Sequence, residues 1–183
     1  MKNEKEKMLS GELYDASDPI LTIERVNCRK STSEFNNPST STDMRNAIIK
    51  KLFGKIGQTF TIEPNFHCDY GYNIHVGENF YSNFGCILLD VNRITIGDNV
   101  LMGPNVQIYT AGHPVDPKLR LSSLEFGLPI TIGNNVWIGG SAIICPGITI
   151  GDNVTIGAGS VVTKDIMDNV IAVGNPAKII KTL

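Results

Sequence analysis

The stretch ITIGNNVWIGGSAIICPGITIGDNVTIGAGSVVTK, running from Ile130 to Lys164, decides the fold. Within it an aliphatic residue returns every six positions, at Ile132, Ile138, Ile144, Ile150, Ile156 and Val162. Glycine follows four of them, as Gly133, Gly139, Gly151 and Gly157. A second series, Val136, Ala142, Ile148, Val154 and Ser160, stands four residues after the first five. An α-helix requires apolar spacings of three and four, and an isolated strand a spacing of two, so neither accounts for a period of six. Each unit instead turns one aliphatic and one smaller residue inward, two positions apart across the repeat boundary. That is a short strand followed by a corner. Three such flat faces close a triangular coil of about 18 residues, each coil stacking its backbone hydrogen bonds on the next. Glycine relieves crowding at the corners, where φ can be positive. Glycine after isoleucine is common in any β protein; six repeats in one phase are not. The pattern predicts a mainly β chain built as a parallel β-helix.

Upstream the same character begins loosely near Ile56, through Ile62, Tyr70-Gly71 and Val76-Gly77. A second phase runs through Phe84, Asp90, Ile96-Gly97, Met102-Gly103 and Ile108. The two-residue shift between Val76 and Phe84 predicts an irregular corner there. Between Ile108 and Ile130 the pattern vanishes, in a segment holding Pro114, Pro117 and Pro129. A long excursion inside a regular solenoid is usually functional. The first 55 residues read differently. Ser10-Gly11 ends a short helix, and Asp18-Pro19 supplies the cap and first-turn proline of another, which runs towards Phe35 and breaks at Asn36-Asn37-Pro38. Ser41 or Thr42 caps a third helix that carries Met44, Ile48, Ile49, Leu52 and Phe53 at amphipathic spacing and closes at Gly54 and Gly57. Gly174-Asn175-Pro176 turns the chain out of the coil into a short closing helix or strand. The expected division is a helical region over 1–55 and a coil over 56–183, with an inserted loop at 109–129.

Composition narrows the function. The 183 residues suit one sizeable domain plus an accessory element. A formal charge of −2 argues against a nucleic-acid binder driven by bulk electrostatics. No apolar run approaches a membrane span, and the charged Met1–Lys7 segment has no apolar region behind it, so neither membrane insertion nor secretion is indicated. Cys28, Cys68, Cys86 and Cys145 form no CxxC pair and no dense framework, which fits a reducing cytoplasm. Cys145 fills the slot that glycine takes after neighbouring isoleucines and reads as a small packing residue.

Three histidines are present. His75 lies inside a repeat and points outward by alternation, and His67 sits beside Cys68 and Asp69 as wall or surface. His113 stands where the coil opens into the long loop, in Tyr109-Thr110-Ala111-Gly112-His113-Pro114. Gly112 permits unusual backbone geometry and Pro114 biases His113 towards an extended conformation, so the bracket fixes where the imidazole points. An ordinary loop histidine would fit the same bracket. The three histidines lack paired spacing on one coil face, so no metal site is expected.

From Asn79 onward the chain resembles the hexapeptide-repeat sugar O-acetyltransferases of the maltose and galactoside type. The resemblance rests on the segments Asn79–Phe84, Ile94–Val100, Thr110–Pro114, Ile130–Gly140, Gly157–Asp165 and Gly174–Ala177. Lys7–Asp15 is similar to the small helical cap of the maltose-type enzymes. What this implies is a left-handed β-helix, assembled as a homotrimer with active sites between subunits, that moves an acetyl group from acetyl-CoA to a sugar hydroxyl. In the roles it implies, His113 is the general base, the main chain of Gly140 faces the thioester oxyanion, and Asn83 orients the reacting groups. Trp137, pointing outward between Val136 and Ile138, would wall the pantetheine arm, and Ala158, Thr163, Lys164, Lys178 and Lys181 match coenzyme positions, the last two where relatives often carry arginine. Asp69 matches the aspartate of maltose-type enzymes and favours a glucose- or maltose-like acceptor. Asp90 is a second acceptor candidate, although Val91 takes the ungapped place of a galactoside-type aspartate. No covalent acyl-enzyme and no metal are required, so no cysteine needs to be a nucleophile. Three other readings stand beside this one: transfer to a different hydroxylated acceptor, a hexapeptide-repeat zinc hydrolyase of the γ-carbonic-anhydrase kind, and a non-catalytic trimeric scaffold.

Overall fold

A computed structural model describes residues 2–183; Met1 lies outside the described residues. Three helices open the chain, each capped by the residue chemistry of its ends. Helix α1 (Glu4–Ser10) starts in a capping box of Asn3 and Glu6 and ends at Gly11, whose φ of 78° terminates it. A two-residue strand, β1 (Tyr14–Asp15), follows. Helix α2 (Pro19–Asn36) has Pro19 in its first turn and Asp18 Oδ1 accepting the N–H groups of Ile20 and Leu21. Ser41 caps α3 (Thr42–Leu52), where Ile49 is wholly buried.

The coil has three faces of parallel strands. On the first lie β4 (Ile74–Val76), β7 (Ile94–Ile96), β12 (Ile130–Ile132) and β15 (Thr149–Ile150). The second holds β2 (Phe60–Ile62), β5 (Phe80–Ser82), β8 (Leu101–Met102), β13 (Trp137–Ile138), β16 (Thr155–Ile156) and β18 (Val170–Val173). It is closed by β19 (Lys178–Thr182), antiparallel to β18. On the third are β3 (His67–Cys68), β6 (Ile87–Leu89), β9 (Gln107–Tyr109), β14 (Ile143–Ile144) and β17 (Val161–Val162). The predicted aliphatic series forms the core: Ile132, Ile138, Ile144, Ile150, Ile156 and Val162 are all buried. No helix among the described residues is long and apolar enough to cross a membrane.

Coil length is not constant. Thr131 pairs with Thr149, eighteen residues on, as the period predicts. Ile74 pairs with Ile94, twenty residues on, and Thr155 with Ile171, sixteen on. The irregular corner is therefore not between Val76 and Phe84. Buried Cys68 and Val76 are eight residues apart, as are buried Leu88 and Ile96, whereas Val76 and buried Ser82 keep the step of six. Phe84 does not belong to the inward series and is 54% exposed. The two extra residues sit at the corner between the third and first faces, in 69–73 and again in 89–93. At that same corner one coil later the chain makes its excursion, through β10 (Ala111–Gly112), the short helix α4 (Pro117–Arg120) and β11 (Leu124–Gly127). One edge of the prism is thus enlarged three times in succession.

The glycines that follow the aliphatic series serve close approach rather than a positive φ. A Cβ on Gly97 would lie 2.8 Å from the carbonyl oxygen of Gly133 in the next coil. The positive φ at this corner belongs to Asn79, Asn99, Asn135, Asn153 and Asn169, at 56–59°. Their side chains join in one ladder with bonds of 2.8–3.0 Å. Asparagine tolerates that backbone region and repays it here with a hydrogen bond to each neighbouring coil.

Candidate active site

The N-terminal region is not purely helical, and its strand matters. Strand β1 pairs antiparallel with β11, Tyr14 opposite Glu125, and β11 pairs antiparallel with β10, Gly112 opposite Phe126. This three-stranded sheet carries His113 directly after β10. Gly112 is required there: a Cβ would stand 2.5 Å from the Phe126 ring. Pro114 is buried, which anchors the other side of His113, while the imidazole side chain remains 59% exposed. Its Nε2 lies 4.0 Å from Glu125 Oε1, and the Tyr14 hydroxyl donates to Glu125 Oε2 at 2.9 Å. Burial, reinforced by the Glu125 charge, raises the Tyr14 hydroxyl far above the ordinary phenol range, so it stays a proton donor. A cap residue thereby holds a loop carboxylate against the imidazole. The sequence singles out neither Tyr14 nor Glu125 for the site, because a two-residue pairing between strands 111 positions apart leaves no periodic signal.

Asp69 lies on the same edge, at the first enlarged corner. It is half-buried; burial raises its carboxyl above the ordinary value, Arg25 and Arg29 pull it down, and Glu125 adds a further rise. Arg25 itself is held by Tyr70 Oη at 2.7 Å and by the Ala16 carbonyl. Asp90 differs from the acceptor role expected for it. It has no exposed surface, and its carboxylate accepts the N–H groups of Asp69, Tyr70 and Gly71 at 3.0, 2.9 and 2.7 Å. Burial raises its carboxyl to about 7 against the pull of those three bonds. A group with no accessible surface and both oxygens engaged offers nothing to a sugar, so Asp90 does not line the acceptor site.

Asn83 and Gly140 stand on another edge, the corner between the second and third faces. From the coil of Asn83 onward four coils stack there, and the second corner residue is in turn Phe84, Pro104, Gly140 and Ala158. The Phe84 N–H is taken by Asn83 Oδ1 at 2.8 Å, and proline has none. The N–H groups of Gly140 and Ala158 donate to nothing among the described residues. Two unpartnered backbone N–H groups thus occupy successive coils of one edge, with Asn83 two coils from Gly140, about 10 Å at the usual strand spacing. Trp137 projects from the second face beside Leu101, 56% exposed. Lys178 and Lys181 lie exposed on β19 at the end of that face, and Thr163 and Lys164 lie exposed at the corner after β17. His67 and His75 lie on the third and first faces, apart from His113.

The chain therefore gathers Asp69, Glu125 and His113 on one edge, and Asn83, Gly140 and Ala158 on another. The thiols are remote from nucleophile duty: burial raises Cys86 and Cys145, and Cys68, 3.4 Å from Cys28, is raised by that thiol and by burial.

Comparison with known proteins fits this arrangement. A family signature described as "Maltose acetyltransferase hexapeptide capping motif" matches residues 7–57, and "Bacterial transferase hexapeptide (six repeats)" matches 129–164. The chain is 59% identical to a maltose O-acetyltransferase from Clostridium difficile 630, with a TM-score of 0.98 over 100% of this chain and 98% of that one. A galactoside acetyltransferase solved in complex with coenzyme A is 43% identical, with a TM-score of 0.95 over 100% of this chain and 92% of that one. Galactoside O-acetyltransferase of Escherichia coli K12 is 44% identical over 179 residues, 97% of this chain and 88% of the relative. Fold and repeat define a hexapeptide-repeat transferase. Within that class the chain belongs to the acetyl-CoA-dependent sugar O-acetyltransferases of the maltose and galactoside type.

Proposed function

We propose that this protein transfers the acetyl group of acetyl-CoA to a hydroxyl of a glucose- or maltose-like sugar, with His113 as general base. The observation that carries the reading is the exposed imidazole at the edge loop, backed by Glu125, which is itself held by Tyr14. A sugar hydroxyl is a weak nucleophile at neutral pH. His113 takes its proton as the oxygen attacks the thioester carbon, and Glu125 balances the imidazolium that forms. The oxyanion of the tetrahedral intermediate receives the free N–H of Gly140, and Asn83 orients the reacting groups. Collapse breaks the carbon–sulfur bond, and the imidazolium returns its proton to the departing thiolate.

Trp137 would wall the pantetheine arm, with Ala158 and Thr163 along it, and Lys164, Lys178 and Lys181 would neutralise coenzyme phosphates as point charges. Asp69 would accept hydrogen bonds from acceptor hydroxyls. The separation of the two residue groups onto different edges supports a trimer of left-handed coils, in which the His113 edge of one subunit faces the Asn83 edge of the next. Residues 1–55 then act as a cap that completes the His113 edge, and 56–183 as the coil. The reaction requires no metal, and a cytoplasmic site suits acetyl-CoA and free thiols.

The test is thiol release from acetyl-CoA with maltose, glucose and other hydroxylated acceptors. His113→Ala should lose about 10²–10⁴-fold in turnover, the usual worth of general-base help, while acetyl-CoA still raises the melting temperature. Unchanged turnover in that variant removes His113 from the mechanism.

A further inference from the structure

Of the seven polar or charged residues buried among the described residues, four lie in the enlarged corner: Asn73, Asp90, Asn92 and Thr110. They form a column. The Asp90 carboxylate takes three successive backbone N–H groups, of residues 69–71, and Asn73 Nδ2 donates to the Asp90 carbonyl at 2.7 Å. One coil on, Thr110 Oγ1 accepts the Asn92 N–H at 2.9 Å and donates to the Leu89 carbonyl at 2.6 Å. Asn92 Nδ2 donates to the Gly127 carbonyl at 2.8 Å, where β11 ends. The corner bearing Asp69 is thereby tied to the segment that bears His113 and Glu125.

Burying a carboxylate is costly even when donors surround it. The corner with the asparagine ladder is closed by exposed Asp and Asn side chains and carries no such charge. Asp90 is the one buried carboxylate among the described residues, and it binds the turn that carries Asp69. From the other side the turn is pinned at Gly71, with φ of 80°, where a Cβ would meet Leu52 of α3 at 2.5 Å. Three peptide units held in this way fix the backbone from which the Asp69 side chain projects.

We propose that Asp90 is a positioning residue for the acceptor: its carboxylate fixes the 69–71 turn and so aims Asp69, without touching the sugar. This rests on reading Asp69 as an acceptor ligand. An Asp90→Asn side chain keeps the size but offers one acceptor oxygen where two are used, leaving at least one N–H facing an amide N–H₂.

The experiment measures maltose and acetyl-CoA kinetics in Asp90→Asn, Asp69→Ala and the double variant. Asp90→Asn should raise the maltose KM about tenfold, the scale of one lost charged hydrogen bond, with the acetyl-CoA KM unchanged. The double variant should match Asp69→Ala alone. Multiplying effects in the double variant, or an equal rise in both KM values, overturns the proposal. An Asp69→Ala variant with unchanged maltose KM instead sinks the acceptor reading of Asp69, whatever Asp90 does. A second measurement needs no variant: hydrogen exchange on the wild-type protein should show slow amides at Asp69, Tyr70 and Gly71, and fast exchange there overturns the clamp.

Discussion

Glu125 is the residue whose role the fold alone supplies. In the proposed mechanism its carboxylate, 4.0 Å from the exposed imidazole, faces the positive charge that forms when His113 takes a proton. Glu125→Gln keeps an oxygen for the Tyr14 hydroxyl but removes that charge. Turnover should fall about tenfold or more with acetyl-CoA binding intact, read as kcat against coenzyme affinity; an unchanged kcat would show that the carboxylate does not serve the base. Asp90 gives a prediction independent of activity. Its ordinary value is 3.8 and its folded value about 7, so the folded state holds the proton more tightly than the unfolded chain. The associated stability is present below pH 3.8 and is lost as pH rises through about 7. The melting temperature of the wild-type protein should therefore fall relative to that of Asp90→Asn across this window, and a constant gap would mean that Asp90 titrates as an ordinary carboxyl. A glycine–proline bracket and a family motif mark His113 and Asp69 in the sequence, and the fold sets both on one edge with Glu125. Glu125 itself carries no such mark, since its meaning lies in a cross-strand partner.

Among the elements, the three-stranded sheet β1-β11-β10 governs the site. It couples the N-terminal segment to His113, and it leaves no room for a side chain at Gly112, where a Cβ would stand 2.5 Å from the Phe126 ring. Gly112→Ala should force the Phe126 ring aside and displace His113, lowering turnover more than the melting temperature. Pairing it with Phe126→Ala should restore part of the turnover, because the colliding ring is gone; a double variant no better than the single would place the fault in the Gly112 backbone instead. The helices were legible from their caps, and the coil from 130 to 164 from its strict period. The earlier coils were harder to read. Each carries two extra residues at the third-to-first corner, which drove the aliphatic series out of phase and made Phe84 look inward. Glycine after isoleucine was correctly seen as a corner mark, but its cause is contact with the next coil, which a single repeat cannot display.

At the scale of the molecule, the chain divides its candidate chemistry between two edges of a prism. His113, Glu125 and Asp69 occupy one, while Asn83 and the free N–H groups of Gly140 and Ala158 occupy another. A small acceptor and a thioester carbon must meet within a few ångströms, so edges separated by a whole face cannot serve one reaction centre in a lone subunit. The proposed head-to-tail ring would resolve this, because each interface would bring together different edges of two copies. The consequence is complementation. His113→Ala and Asn83→Ala homo-oligomers should each be nearly inactive. When the two are unfolded together and refolded as a random mixture, an interface that draws His113 from one chain and Asn83 from the other is intact, and about a quarter of all interfaces are of that kind in a closed ring. Thiol release should recover to about that fraction of the wild-type rate. Mixing without subunit exchange should recover nothing. If the refolded mixture stays as inactive as its parents while its subunits demonstrably exchange, both residues act within one chain, and the shared-edge site is wrong.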